Sequence, residues 1–250
     1  MKVTLIDYTG AGHPDPWYAA RKLIVAKNTR LAKDRDFSAE VQEMDADRLT
    51  TELSAVANTI RSSWEFVSYT FKVEAISRAT CDQMTRSRVG VAFAVMAQRV
   101  VDHGHFDYVI PDTVLEAGLR EAFEQQMGAL ADFYQYLTRK GIPAQDARAV
   151  LPMATYSPLT AEYNLRSLAG IVAKRENLRA QGEYAAVAAE MKRLVLAQHP
   201  WTRAFLMPEH TQTPALDGLL KGMLGTGSPV DNPQLNNALK ELDGLKGTWE

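Results

Sequence analysis

Between Ser77 and Arg99 the chain reads SRATCDQMTRSRVGVAFAVMAQR, and this stretch constrains the fold more than any other. From Gln83 to Arg99 it carries Arg86, Arg88 and Arg99 without a carboxylate, yet it encloses the apolar run VGVAFAVMA, which belongs inside a protein. An unpaired buried charge is costly, so arginines beside a buried strand need anionic or hydrogen-bonding partners. A planar guanidinium fork matches phosphate oxygens two at a time, which points to a phosphorylated small molecule. The same pattern also fits arginines decorating a helix C-terminus, where the macrodipole favours them.

The charge balance makes any anion site local. With 28 basic and 30 acidic residues the net charge is −2, unlike the strongly basic balance of a dedicated nucleic-acid or membrane-surface binder. One cysteine, Cys81, excludes an intrachain disulfide framework and suits a reducing cytoplasm. The first residues, MKVTLIDYTG, lack the basic and apolar regions of a signal peptide, and no apolar stretch is long enough to span a bilayer. The expectation is a soluble cytoplasmic protein that binds neither nucleic acid nor membrane.

Alternation and punctuation predict a mixed α/β chain. Lys2–Tyr8 reads as a strand ended by Gly10 and Gly12, and EFVSYTFKVE (65–74) as another. Helices are predicted over Trp17–Ala26, Asp47–Ser62 and Ile76–Thr85, with the charged segment Lys27–Asp45 as a loop between the first two. Val89–Val101 reads as extended. A long amphipathic helix follows over Asp112–Lys140, carrying Leu119, Phe123, Met127, Phe133 and Tyr134, with Gly141 as its terminator. Pro143–Val150 predicts a short helix and Leu151–Tyr156 a strand-like segment. Helices over Glu162–Leu178 and Gln181–Gln198 complete a domain spanning 1–208. Residues 209–250 form an extension rich in Pro, Gly, Thr and Asn, with a helix expected at Gln234–Leu245.

Several residues stand out chemically. Gln83, Arg86 and Arg88 lie at a helix–strand junction, where the guanidiniums suit a phosphate and the amide suits a base edge. A second cluster comprises Asn164, Arg166, Lys174, Arg175 and Arg179; Arg175 continues the apolar stripe of Leu168 and Ile171, so it faces a pocket or a subunit contact, or snorkels at the helix end. Arg148 is either a further anion ligand or a surface arginine. Glu65 is either a polar site residue or the start of a strand. Cys81 lies far around its helix from Gln83, which suits core packing better than nucleophilic work. His103 and His105 are the only close histidine pair and do not make a metal set. There is no G-x-G-x-x-G, Walker A or G-x-S-x-G motif, so a nucleotide or flavin site here is of a non-Rossmann type.

Taken together, TFKVEAISRATCDQMTRSR, ARAVLPMATY, and NLRSLAGIVAKRENLRAQGE followed by HPWTRAFL resemble the flavin-dependent thymidylate synthases, the ThyX class. The resemblance runs from about Ser62 to Phe205 and is carried by ordered blocks with matching spacing. It implies an α+β fold with a mostly antiparallel central sheet flanked by helices, assembled as a homotetramer with shared active sites. It also implies FAD as cofactor, and NADPH and methylenetetrahydrofolate as co-substrates, with carbon transfer to C5 of a uracil nucleotide. Carried over, Gln83, Arg86, Ala97, Gln98, Arg99, Arg148 and Arg175 would contact the nucleotide. Arg175 would be the catalytic group, stabilising negative charge on the pyrimidine. Ser62, Glu65, Ser87, Arg88, Val89, Asn164, Arg166 and Gly170 would contact the flavin.

The departures cluster at the substrate. The family's R-H-R is here Arg86-Ser87-Arg88, and its S-Q-R-Y is Ala97-Gln98-Arg99-Val100. Gly170 stands where many relatives have a larger polar residue. The expected activity is therefore flavin-dependent C5-methylation of UMP, dUMP or both, like the variants of nucleoside-antibiotic biosynthesis. The alternatives are an ordinary dUMP-specific synthase and a catalytically silent nucleotide-binding member.

Overall fold

In the computed structural model, which describes residues 1–29, 37–59, 61–99, 104–176 and 182–207, four strands form one antiparallel sheet. They are β1 (Lys2–Tyr8), β2 (Ser68–Glu74), β3 (Val91–Val95) and β4 (Leu159–Asn164), in the order β1-β2-β4-β3. In β2 the alternation is strict: Tyr69, Phe71 and Val73 are buried while Thr70 and Lys72 face away. Leu159, Ala161 and Tyr163 of β4 continue that buried face. In β1 the register shifts between Leu5 and Asp7, a bulge on an edge strand that leaves Ile6 exposed.

Helices cover the apolar face. Their order is α1 (Tyr18–Asn28), α2 (Phe37–Gln42), α3 (Ala46–Ala57), α4 (Arg78–Met84), α5 (Asp112–Glu116), α6 (Arg120–Arg139), α7 (Ala144–Ala147), α8 (Leu165–Arg175), α9 (Gly182–Gln198) and α10 (Arg203–Leu206). Single 3₁₀ turns occupy Arg61–Phe66, Arg148–Val150 and Pro200–Thr202. α9 packs on β1 and β2, α8 packs on α9 and the 61–66 turn, and α1 packs on α2 and α3. The core these elements share includes Leu23, Leu49, Phe71, Leu168, Val187 and Phe205. All described elements up to α10 belong to one unit, Met1–Leu206. No described helix is long and apolar enough to cross a membrane.

Several sequence expectations need correction. The strand-like segment expected at Leu151–Tyr156 forms only isolated bridges, Ser77 to Tyr156 and Tyr108 to Thr155. The strand lies later, at Leu159–Asn164, and the helix expected from Glu162 starts at Leu165. Leu, Ala and Glu suit a helix locally, but pairing on both sides with β2 and β3 outweighs that preference. The predicted strand start at Glu65 is instead a 3₁₀ turn through Phe66. The expected loop Lys27–Asp45 contains α2. The long helix is broken between Glu116 and Arg120, where Gly118 adopts φ +69°, a left-handed conformation that ends α5. On α6 only Met127 and Tyr134 are buried, while Phe133 and, just before the helix, Leu119 stay exposed, because this helix packs chiefly on α5, α7 and the 148–150 turn rather than on the sheet. The apolar run around Phe93 is not interior either: β3 is an edge strand with alternate residues exposed, and Arg86, Arg88 and Arg99 are exposed. The predicted helix at Gln234–Leu245, the extension that carries it, and Arg179 and His103 lie outside the described residues.

Candidate active site

Three elements meet at a cleft of about 690 Å³ lined by Gln83, Arg86, Ser87, Lys174, Arg175 and Tyr184, among others. α4 supplies Gln83 near its C-terminal end. The helix starts where Ser77 caps it, the Ser77 hydroxyl accepting from the Thr80 N–H. α8 supplies Lys174 and Arg175 in its last turn, where cations are favoured by the helix dipole. α9 supplies Tyr184 from its first turn.

Arg175 is held on two sides. Its Nη1 donates to the Gln83 Oε1 at 3.3 Å, and its guanidinium carbon lies 4.0 Å from the centroid of the Tyr184 ring. Burial pushes the Tyr184 phenol up from its ordinary value, opposed by Arg175, Ser87 and Tyr163 nearby. The ion pairs among the described residues do not include Arg175. Arg175 is half-buried in a cleft that also carries Arg86, Lys174 and Asp82, the last paired with Arg78, and this cationic excess is suited to a phosphorylated or anionic ligand.

A second cavity of about 480 Å³ lies beside the β3–β4 end of the sheet, lined by Lys22, Glu65, Phe66, Gly90, Glu162 and Asn164, among others. Asn164 turns strand into helix here: its side chain accepts from the Ser167 N–H at 2.8 Å while its own N–H donates to the Gly90 carbonyl at 2.9 Å. The Ser167 hydroxyl donates to the Val89 carbonyl at 2.6 Å. Arg166 pairs with Glu65 at 2.6 Å, with both side chains about half exposed. Gly90 has φ +64°, and a Cβ there would stand 2.2 Å from the Asn164 amide nitrogen, so the backbone approach depends on glycine.

Similarities to known proteins over residues 4–201 bear directly on this geometry. The family model described as thymidylate synthase complementing protein matches residues 4–201. The chain is 35% identical over 205 residues to the flavin-dependent thymidylate synthase of Geobacter sulfurreducens, covering 80% of this chain and 84% of that one. It is 30% identical to the protein of the same name from Sulfolobus acidocaldarius, covering 80% and 74% of the two chains. This chain belongs to the flavin-dependent thymidylate synthase family.

For this family member, the residues expected at the site fall into groups. Gln83, Arg86 and Arg175 share the larger cleft, joined by Ser87, which the resemblance put on the flavin side. Glu65 and Asn164 line the second cavity, and Arg166 is tied to it through Glu65; Val89 is exposed and does not line it, its carbonyl accepting from the Ser167 hydroxyl. Ser62 and Arg88 are exposed near these elements, and Gly170 is exposed with no atom within 4 Å of a built Cβ. Arg148 does not line the cleft; its Nε donates to the Gln145 carbonyl at 3.1 Å. Ala97, Gln98 and Arg99 follow β3, outside the cleft of their own chain, with Ala97 and Arg99 exposed. Sequence reading passed over Tyr184 and Glu183, which lie at the start of α9. The A-Q-G-E block marked this turn as part of the family pattern, but nothing local shows that its side chains reach α4 and α8. Among the described residues no group of three or more His, Cys, Asp or Glu could hold a metal ion.

Proposed function

We propose that this chain transfers the methylene carbon of methylenetetrahydrofolate to C5 of a uracil nucleotide, dUMP and also UMP. The observation that supports this most is the convergence of Gln83, Arg86 and Arg175 on one cleft, in a chain of this family. Arg86 and Lys174 line that cleft and would meet a phosphate. Arg175 presents a fixed positive charge to the pyrimidine, stabilising the negative charge that develops as C5 becomes nucleophilic. The cost of ordering that charge is met before the substrate arrives, because Gln83 and Tyr184 already hold the guanidinium.

We assign FAD to the second cavity, whose polar lining combines Lys22, Ser68 and Asn164 with the carboxylates of Glu65 and Glu162. Lys22 and the helix start at Asn164 suit phosphate, and the close packing of Gly90 against Asn164 and Ser167 holds that helix start in place. When bound, FAD supplies the hydride that completes the methyl group, restored at the expense of NADPH. Glu65, Arg166 and Asn164 would hold it, with Arg166 exchanging part of its Glu65 pairing for the cofactor. Arg99 and Arg148 lie outside the cleft of their own chain, which supports a homotetramer whose subunits complete one another's sites.

Acceptance of UMP rests on the segment after β3. Ala97 stands where the family has a serine, and its methyl group leaves more space and no hydroxyl beside the sugar or base. The test is a competition: FAD-loaded protein is given methylenetetrahydrofolate, NADPH, UMP, dUMP and dCMP, and the products are weighed. Methylated uracil nucleotides are expected, and product mass separates them from hydroxymethylated ones. Tritium release from C5-labelled dUMP but not UMP removes the ribonucleotide part. A colourless protein that binds no FAD and turns over neither nucleotide overturns the whole reading.

A further inference from the structure

The ring of Tyr184 lies directly beneath the charge that the proposed chemistry needs. Its centroid is 4.0 Å from the Arg175 guanidinium carbon, and the residue is 1% exposed, so the contact is largely shielded from water. Arg175 is the last residue of α8, where the backbone alone restrains a side chain weakly. Restraint must come from elsewhere, and it comes from α9 and α4. Tyr184 sits in the first turn of α9, and its neighbour Glu183 is bound to Ser77 and Thr80 at the start of α4. α4 also carries Gln83, which accepts from the guanidinium edge. One face and one edge of Arg175 are thereby fixed by a single braced assembly.

A carboxylate would also orient an arginine, but it would cancel the charge. A ring face orients it and leaves the charge intact. We propose that Tyr184 is a positioning residue for this reaction, its ring face aiming Arg175 at the nucleotide while preserving the full positive charge. This rests on the reading that Arg175 meets a uracil nucleotide, and the test separates the two.

The FAD-loaded protein is compared with Tyr184→Phe and with a trifluorinated phenylalanine placed at 184 by nonsense suppression. Each is made alone and together with Arg175→Ala, and the dissociation constant for dUMP is measured. Fluorination drains the ring face of negative charge while nearly keeping its shape, so a purely packing role is not moved by it. Tyr184→Phe removes the hydroxyl and keeps the ring face, so it serves as the reference against which the fluorinated ring is read. The fluorinated ring is expected to weaken binding roughly 2- to 30-fold relative to Phe. With Arg175→Ala present, the same ring change is expected to do nothing. Equal losses in both backgrounds, no loss on fluorination, or a loss already complete in Tyr184→Phe each overturn the ring's role alone. If the unsubstituted protein does not bind dUMP, the parent reading falls and this one falls with it.

Discussion

Glu183 accepts hydrogen bonds from both the backbone N–H and the hydroxyl of Ser77, a residue 106 positions earlier, at 2.8 and 2.5 Å. The Thr80 hydroxyl adds a third at 2.7 Å. The carboxylate thus satisfies donors at the start of α4, where the helix dipole also favours negative charge. Glu183→Ala is expected to lower stability by about 2–4 kcal/mol, because it strips a charged acceptor from buried donors. Urea unfolding checks this: the midpoint should fall with the slope unchanged. Glu183→Gln should recover part of the loss.

At the second cavity, Gly90→Ala is expected to cost about 1–3 kcal/mol, since its positive φ strains any side chain and a Cβ would meet Asn164 and Ser167. Moving Asn164 should also reduce the FAD retained per protomer, read from flavin absorbance. Gly128→Ala is the control. It lies inside α6 with nothing within 4 Å of the new Cβ, and should be stabilising by about 0.5–1 kcal/mol.

Cys81 is 1% exposed, and burial pushes its thiol above the ordinary value, away from the reactive thiolate. Cys81→Ala should therefore keep most of its turnover, measured by tritium release from C5-labelled dUMP. Loss of turnover in a folded, flavin-loaded Cys81→Ala would assign the thiol a role that its burial argues against.

His199 is buried, accepts or donates a 2.9 Å hydrogen bond with the Tyr69 hydroxyl, and stacks on Trp201. Burial lowers its pKa from 6.5 to about 4. Below pH 6.5 the unfolded chain takes up a proton that the folded chain refuses until about pH 4, so stability should fall as pH drops through that window. The slope from this group is at most about 1.4 kcal/mol per pH unit. Urea midpoints between pH 4 and 7 check it, and His199→Gln should flatten the dependence.

Local sequence was a good guide wherever one element satisfied itself. β2 was legible because aromatic and β-branched residues alternate, and the end of α6 because Gly141, at φ +84°, follows the last turn. β4 was not legible: LTAEYN carries no strong strand signal, and its conformation follows from the ladders on both sides. The open face of α6 misled for the opposite reason, since its helical apolar stripe says nothing about what covers it.

The candidate site divides along the same line. The arginine-rich segment and the blocks around Arg148 and Arg175 gave the family and the residue types, because phosphate and charge chemistry demand those side chains wherever they end up. Which of them share a cleft was decided by packing. Gln83, Arg175 and Tyr184 come from three helices and meet only when Glu183 ties α9 to α4 and α8 packs alongside. Sequence spacing fixes neighbours along one helix or strand. Contacts between elements depend on burying their apolar faces together, and only the tertiary structure settles where each polar side chain on those elements then points.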